Sequence, residues 1–451
     1  MRISRHFVEL DGRFVHYRRC GSGPPLLMVH QSPRSSAEYA PLMQIWGRHF
    51  TCIAPDTPGF GQSDPLPSAD ATIDDFGDAL VALLDALGLH APLAAWGFHS
   101  GGIILMNLLR RHPGRLRRAA IGGYAVWTEA ERALFAGRYL PPLIPEPYGA
   151  HLTWLWNRML EQSWFFPWFA VDPAHRLPGA HADVARVDQA VREMLDAGDA
   201  YRIGYGAVLA APRDVPPPEA AVPPVLITAY DGDPLQAHID RLGPLPAGWQ
   251  ALKVRNAAEQ QALSLDFLRA APGGPAPPAV DSPARGYALV ETDRFEGLIH
   301  WRGAPGSSAA VAAPGESAAL ADGAAIDPPG HGLTDDWPGP APTDRAAWDA
   351  VIAAVARTTS LVPRLPAAGP GDPELLFPSL APDRFGSHLT RAWAIVRASR
   401  LFCPWYAADA AHARPFQPDD LAPQRLAVAH LARLQARSAQ AWWQALAASD
   451  G

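Results

Sequence analysis

Residues 92–111 read PLAAWGFHSGGIILMNLLRR. A short apolar strand, Pro92–Trp96, meets the glycine-rich turn Gly97–Gly102 and then an apolar run that continues as a helix to about Arg111. Glycines at 97 and 101 flank His99, and glycine is what allows a tight strand-to-helix turn to expose its central side chain. Sliding the frame by one residue centres Ser100 instead. That frame puts the bulky Phe98 where the first glycine is needed, and the strand ends naturally at Trp96-Gly97. His99 is therefore favoured at the tip, with Ser100 as the alternative.

The flanking sequence supplies a sheet for this turn. Residues 6–19 alternate around Asp11-Gly12, the pattern of a hairpin. Pro25–His30 (PLLMVH) is a buried strand followed by the polar loop Gln31–Ser36. Thr51–Pro55 runs into a glycine-rich turn, Asp56–Asp64 (DTPGFGQSD). Residues 73–88 have helical spacing, with Asp74 and Asp75 in the first turn, where the helix dipole favours them. Strands alternating with helices imply an α/β fold: a mostly parallel sheet covered on both faces.

The strand leading to His30, the D-x-P-G-x-G-x-S-D turn and the G-x-x-x-G-G elbow together resemble the α/β-hydrolase superfamily. Val225–Leu235 (VLITAYDGDPL) resembles its strand that delivers the triad acid. The likeness covers about residues 6–270 and implies a helical cap between elbow and acid strand, here about 129–211.

Where the sequence departs from that pattern, it bears on function. The elbow centre is His99, not Ser, Cys or Asp. The acid aligns with Asp233. The segment expected to hold the general-base histidine, 254–260 (VRNAAEQ), has none, and Glu259 or a neighbour occupies the position. In the oxyanion loop that follows the strand Pro25–His30, the usual glycine after the histidine is Gln31. A neutral imidazole at the tip can act as base or nucleophile near pH 7. The resemblance then implies His99 held by Asp233, with the Ser100 amide stabilising an oxyanion. Ester or C–C hydrolysis, or related lyase or isomerase chemistry, would follow. Two alternatives stand beside it: a serine esterase using Ser100 with His99 or His151 as base, and a catalytically silent binding or scaffold protein. The cap is rich in aromatic residues, Trp156 and Trp168 among them, and suggests a small or medium apolar or aromatic substrate.

Residues 271–284 (APGGPAPPAVDSPA) read as an interdomain linker, after which the chain repeats itself. Residues 145–175 align without gaps to 382–412, and thirteen of 31 positions are identical, including His151/His388, Trp156/Trp393, Trp168/Trp405, Asp172/Asp409 and His175/His412. Asp327–Asp335 (DPPGHGLTD) matches Asp56–Asp64. Leu289–Arg302 echoes the opening hairpin, and Asp344–Arg357 parallels the helix at 74–87. Residues 358–381 hold no elbow and no buried strand leading into one, the loop 303–319 is rich in small residues, and Asp420–Ala447 reads as one long helical pattern. The expected organisation is a hydrolase-like domain over 1–270 and a truncated copy with its own cap over 285–451. The copy lacks elbow, acid and base, and packs against the first, preferably cap to cap.

The chain has 451 residues with 48% apolar and 18% charged, so it can bury a large core. Its net charge of −7 argues against nucleic-acid or anionic-membrane partners. Cys20, Cys52 and Cys403 are widely spaced and odd in number, suggesting neither a disulfide framework nor a zinc site. No cofactor or metal is expected. The charged N-terminus and the lack of an 18-residue apolar run suggest a soluble protein of the reducing cytoplasm. Further oligomerisation stays open.

Overall fold

The chain opens on a hairpin of β1 (Ser4–Leu10) and β2 (Arg13–Cys20), turned through Asp11 and Gly12, which both have positive φ. The hairpin starts an eight-stranded sheet in this computed structural model, which describes residues 1–213 and 215–448. The other strands are β3 (Pro25–Val29), β4 (Thr51–Pro55), β5 (Leu93–Phe98), β6 (Leu116–Gly122), β7 (Val225–Tyr230) and β8 (Gln250–Val254). Their order is β1-β2-β4-β3-β5-β6-β7-β8, and every pair from β4 onward is parallel.

Both faces are buried because successive residues point to opposite sides. Leu27, Val29 and Ala95 join one core, which includes Leu80 and Leu84 of helix Ile73–Ala86 and Leu105 and Leu108 of helix Ser100–Arg111. Leu26, Met28, Ala94 and Trp96 join the other, with Met43 and Trp46 of helix Ala40–Trp46 and Leu268 of helix Ala257–Arg269. Such two-sided burial is why these strands read as continuous apolar runs.

The turn after β4 is held from within. Asp56 is fully buried and accepts from His16 Nδ1 (2.8 Å), the Ser36 amide (2.7 Å) and the Gln62 amide (2.9 Å). Ser63 closes the circuit: its hydroxyl donates to the Asp56 carbonyl (2.8 Å) and accepts from the His16 amide (2.9 Å). Gly61, at φ +53°, is required here, since a Cβ would lie 2.2 Å from the Asp56 carboxylate.

A second compact unit comprises residues 144–157 and 281 onward, the first unit being 1–143 with 158–280. Its sheet contains β9 (Arg285–Glu291), β10 (Glu296–Arg302), β11 (Ser308–Val311), β12 (Ala325–Ile326) and β13 (Val362–Arg364). The order β9-β10-β12-β11-β13 repeats that of β1-β2-β4-β3-β5. The hydrogen bonds repeat as well. Asp327 accepts from His300 Nδ1 (2.7 Å) and the Ala318 amide (2.6 Å), and Thr334 takes the place of Ser63, donating to the Asp327 carbonyl (2.7 Å). Gly332 matches Gly61, with φ +49° and a virtual Cβ 2.3 Å from the carboxylate.

Four details differ from the sequence reading. The small-residue stretch 303–319 contains a strand, β11, whose backbone pairs in parallel with both β12 and β13. β13, which stands where β5 stands in the first sheet, is no departure from that reading, since two of its three residues are exposed and no elbow follows among the described residues. The helical pattern at 420–447 is two helices, Pro423–Gln435 and Ala439–Ala447, broken where the Arg437 amide donates to the Gly330 carbonyl (2.8 Å) and its guanidinium pairs with Asp336 (2.6 Å). The boundary between units, after Val280, lies inside the expected linker, but the first part of that linker belongs to the first unit. Residues up to Val280 are laid on the first unit through the Tyr17 hydroxyl, which donates to the Val280 carbonyl (2.7 Å), and Arg19, which donates to that of Pro277 (2.6 Å). Residues 144–157, expected in the first cap, belong to the second unit.

The reason is an exchange of matching residues with helix Ser387–Ser399. Trp156 donates to the Arg384 carbonyl (3.1 Å) and Trp393 to that of Pro147 (3.2 Å). His388 stands edge-on to Trp156 (5.4 Å) and His151 edge-on to Trp393 (4.9 Å). Gly386 and Gly149, both at positive φ, leave room for the opposite indole. Within the second unit each tryptophan thus bonds to the segment that carries the other and stands against that segment's histidine. Among the described residues no helix is long and apolar enough to cross a membrane.

Candidate functional site

At the end of β5 the chain turns through His99 at φ 47°, ψ −111°, and enters helix Ser100–Arg111. A non-glycine residue in this region costs on the order of 1–3 kcal/mol and persists only where the surroundings enforce it. Here they do. The His99 amide donates to the Gly122 carbonyl (2.8 Å), its carbonyl accepts from the Ile103 amide (3.2 Å), and the ring stacks on Phe98 at 4.1 Å. A Cβ on Gly97 would lie 2.7 Å from the Gly101 carbonyl carbon, and one on Gly101 only 1.9 Å from the Val29 oxygen. His99 occupies the tip. Ser100 is the first helical residue, 4% exposed, and its hydroxyl accepts from the Ser32 amide (3.0 Å).

Asp233 follows β7 and meets His99 across the top of the sheet. Nε2 lies 3.1 Å from each carboxylate oxygen, with the His99 side chain 23% exposed and that of Asp233 fully buried. The Leu235 amide also donates to Asp233 (2.8 Å). Burial pushes this carboxyl up, but His99 and the Leu235 amide outweigh it and hold it below its usual value. Asp233 is therefore ionised and accepts the Nε2 proton. Nδ1, with no hydrogen-bond partner among the described residues, carries the lone pair on the partly exposed ring.

The loop after β3 is occupied with its own contacts. His30 donates from Nδ1 to the Gln31 carbonyl (2.9 Å) and accepts at Nε2 from the Thr57 amide (2.9 Å), so it braces the Asp56–Asp64 turn. Gln31 gives both its amide and its side-chain Nε2 to Glu38 (2.9 Å each). With the Ser32 amide on Ser100, both loop donors nearest the elbow are engaged. In the 254–260 segment, Glu259 faces away from this chemistry. It accepts from the Arg255 amide (2.8 Å) and guanidinium (3.1 Å) and takes part in the helix start through Asn256. Its neighbour Gln260 is the buried one, donating to the Thr228 carbonyl (3.0 Å).

A cavity of about 490 Å³ adjoins the elbow; Phe98, Trp96, Tyr230, Gln260, Gln31 and Arg34 are among the residues lining it. Of the six residues expected at the pocket only Gln31 lines this cavity; His30, Ser100, His151, Trp156 and Trp168 do not, and neither His99 nor Asp233 is part of its wall. His151 and Trp156 belong to the second unit and spend their side chains on the exchange described above. Burial pushes His151 down to about 4. Trp168 donates to the Tyr139 carbonyl (3.3 Å) and carries Arg158 over its ring, inside the first unit's cap. The cap aromatics thus pack against one another, and the cavity wall is more polar than the cap composition suggested.

Sequence reading passed over His238, five residues after Asp233. It is buried, accepts at Nδ1 from the Val126 amide (2.9 Å), stands edge-on to Trp127, and is pushed down to about 4 by burial and by Arg241. No motif marks it, and only the fold brings it to the Val126 amide and the Trp127 ring. Among the described residues no group of three or more His, Cys, Asp or Glu could hold a metal ion.

Residues 24–142 match the family model for the alpha/beta hydrolase fold. The match lies within the first unit and takes in β3 to β6, the elbow included. Within it, the stretch is similar to a cis-3-alkyl-4-alkyloxetan-2-one decarboxylase of Shewanella oneidensis, 35% identical over 121 residues (26% of this chain, 38% of that protein). It is also similar to haloalkane dehalogenase 2 of Mycobacterium bovis, 33% identical over 124 residues (28% and 43%). The chain therefore spans about two fifths of the length of these α/β-hydrolase relatives. Among solved structures, epoxide hydrolase A of Mycobacterium thermoresistibile aligns over 60% of this chain and all of its own, with 18% identity and a TM-score of 0.47.

Proposed function

We propose that the first unit is an enzyme acting on a small molecule, with His99 as general base and Asp233 as the residue that positions it. One observation carries this reading: an elbow-tip imidazole with Nε2 3.1 Å from both oxygens of a buried, ionised carboxylate. With Nε2–H donated to Asp233, Nδ1 takes a proton from water as the hydroxide adds to an ester carbonyl. The oxyanion is met by the helix N-terminus at Ser100. The intermediate collapses, the leaving alkoxide takes the proton from Nδ1, and acid and alcohol depart. Without water, the same lone pair can remove a carbon-bound proton, which is the route to lyase or isomerase chemistry.

Against the serine-esterase alternative, the Ser100 hydroxyl is buried and already accepts a backbone amide. A binding protein without turnover is the second reading, favoured by the engaged Gln31 and Ser32 amides and by the missing histidine in 254–260. The matching strand order, the repeated His–Asp–hydroxyl circuit and the exchanged tryptophans support residues 285–451 as a truncated duplicate (its last three lie outside the described residues), kept for packing. The free thiols of Cys20, Cys52 and Cys403 fit a reducing, cytoplasmic setting.

The test is a panel of activated esters and lactones assayed with wild type and His99→Ala. A loss in kcat/KM of about 10²-fold or more is expected from removing a general base. Labelling of Ser100 by a fluorophosphonate would discard the His99 mechanism. Unchanged activity in His99→Ala would do the same, and a substrate-like molecule bound but never turned over would support the second reading.

A further inference from the structure

The cavity beside the elbow contains a group that the proposed base chemistry does not use. Arg34 lies in the loop after β3 and lines the cavity. Its Nε pairs with Glu193, a buried carboxylate also held by the Ser35 hydroxyl (3.0 Å) and by Gln189 (3.4 Å). The terminal nitrogens Nη1 and Nη2 have no hydrogen-bond partner among the described residues. Glu193 therefore fixes the guanidinium by its inner edge and leaves the outer fork open. Two parallel N–H donors in a plane are the complement of a carboxylate.

The rest of the lining fits the same ligand. Arg186 stands exposed at the wall and makes no ion pair among the described residues, which adds a second positive charge. Gln31, Gln189, Gln260 and Gln261 supply amides that can donate to or accept from a polar head, while Trp96 and Phe98 offer flat apolar wall. Charge decides which anion. Arg34, Arg186 and Glu38 are the charged groups of the wall, and Glu193, behind it, is paired with Arg34, so the four charges cancel and leave no surplus to hold a dianion. A planar monoanion needs only the open fork.

We propose that this cavity recognises a carboxylate on an aromatic or apolar small molecule, bound to the Arg34 fork and assisted by Arg186. The proposal rests on the reading of His99 as a base: Phe98, which lines the cavity, stacks on the His99 ring at 4.1 Å, so a molecule held here lies next to the elbow. The substrate narrows to one whose reacting ester, lactone or carbon acid carries a free carboxylate elsewhere. Held in this way, the substrate would be oriented by its charged end while the uncharged end reaches the elbow.

Binding is measured by calorimetry with benzoate, benzamide and phenyl phosphate, on the full chain carrying His99→Ala so that catalysis plays no part. Benzoate should bind at least about tenfold tighter than benzamide, as expected for charge-assisted bonds replacing neutral ones. Arg34→Gln should remove that preference, and Arg34→Lys should restore only part of it, since a point charge lacks the fork. Arg186→Gln, at an exposed position that folding does not depend on, should weaken benzoate by a smaller factor and leave benzamide unchanged. Equal binding of benzoate and benzamide, or tighter binding of phenyl phosphate, overturns the proposal. So does a benzoate preference that survives in Arg34→Gln with a wild-type melting temperature. Because the readout is binding without turnover, a benzoate site intact in a protein whose esterase activity never depended on His99 would refute the base reading alone.

Discussion

The two sheets share a beginning and part ways at their fifth strand. In the first, β5 is buried and ends in an elbow that presents His99 to Asp233. In the second, β13 has the same place in the strand order but is short and mostly exposed, and the chain leaves it without turning into a helix. Upstream the two match to the level of single hydrogen bonds. The difference separates two histidine–aspartate pairs that look alike on paper. His16–Asp56 recurs as His300–Asp327 in a sheet that has no elbow at all, so this pair serves the hairpin and its glycine turn. His99–Asp233 has no counterpart. The proposed chemistry rests on the stretch for which the second sheet has no match among the described residues.

Aspartate substitutions test that division most strongly. Asp233→Asn should lower kcat by about 10²-fold or more while unfolding near the wild-type denaturant midpoint, because it leaves His99 without an anionic partner but keeps its shape. Asp56→Ala and Asp327→Ala should do the reverse. Each strands a buried imidazole and backbone amides, at a cost of about 3–5 kcal/mol, and the survivors should keep the wild-type pH dependence of kcat. Urea unfolding and initial rates on the three variants check this. A catalytic defect in Asp327→Ala as large as that of Asp233→Asn would mean that the second sheet takes part in the reaction.

The exchange of tryptophans gives a finer comparison. Trp156 and Trp393 are each almost wholly buried in the second unit, each bonded to a carbonyl beside the other's glycine. Trp156→Ala and Trp393→Ala should each destabilise that unit by about 3–5 kcal/mol, and the two losses should be similar. Differential scanning calorimetry reads the effect. A loss confined to one of the pair would show that the contacts are not equivalent and that the residue symmetry is an accident of sequence.

The fold was readable because its decisive residues carry geometry in their identity. Glycines at 97, 101, 61 and 332 stand where a Cβ would strike backbone or a carboxylate, and the apolar runs of β3 to β7 reflect two-sided burial. The elbow register could be read for the same reason. What failed was anything that depended on which surface a side chain meets. Trp156, Trp168 and His151 suit a pocket as well as they suit packing, and composition has no means of telling those apart. Glu259 was a candidate base by alignment, yet a guanidinium one helical turn away claims it. Arg34 went unnoticed because one arginine in a polar loop carries no motif, and its meaning lies in Glu193, 159 residues distant. His238 was hidden in the same way.

The smallest effect concerns a single position of the matching turns. Phe60, edge-on to His30 at 5.7 Å in the first unit, corresponds to His331 in the second, where the ring is fully buried and Nε2 has no hydrogen-bond partner among the described residues. Burial pushes His331 down to about 4, so it is neutral in the folded protein while the unfolded chain protonates it near 6.5. The folded value is the lower one. Between these limits the unfolded state binds the extra proton, and stability falls as the pH drops from 6.5 toward 4, by about 1.4 kcal/mol per pH unit for such a group. His16, His151 and His238 contribute in the same direction. His331→Phe restores the first unit's residue and removes one titration and one unpaired nitrogen. It should raise stability at neutral pH modestly and flatten the acid slope of the second unit alone, as followed by urea unfolding between pH 4.5 and 7. An unchanged slope would mean that the imidazole reaches water in the folded state, and that the two turns, alike in their hydrogen bonds, differ in how tightly they close.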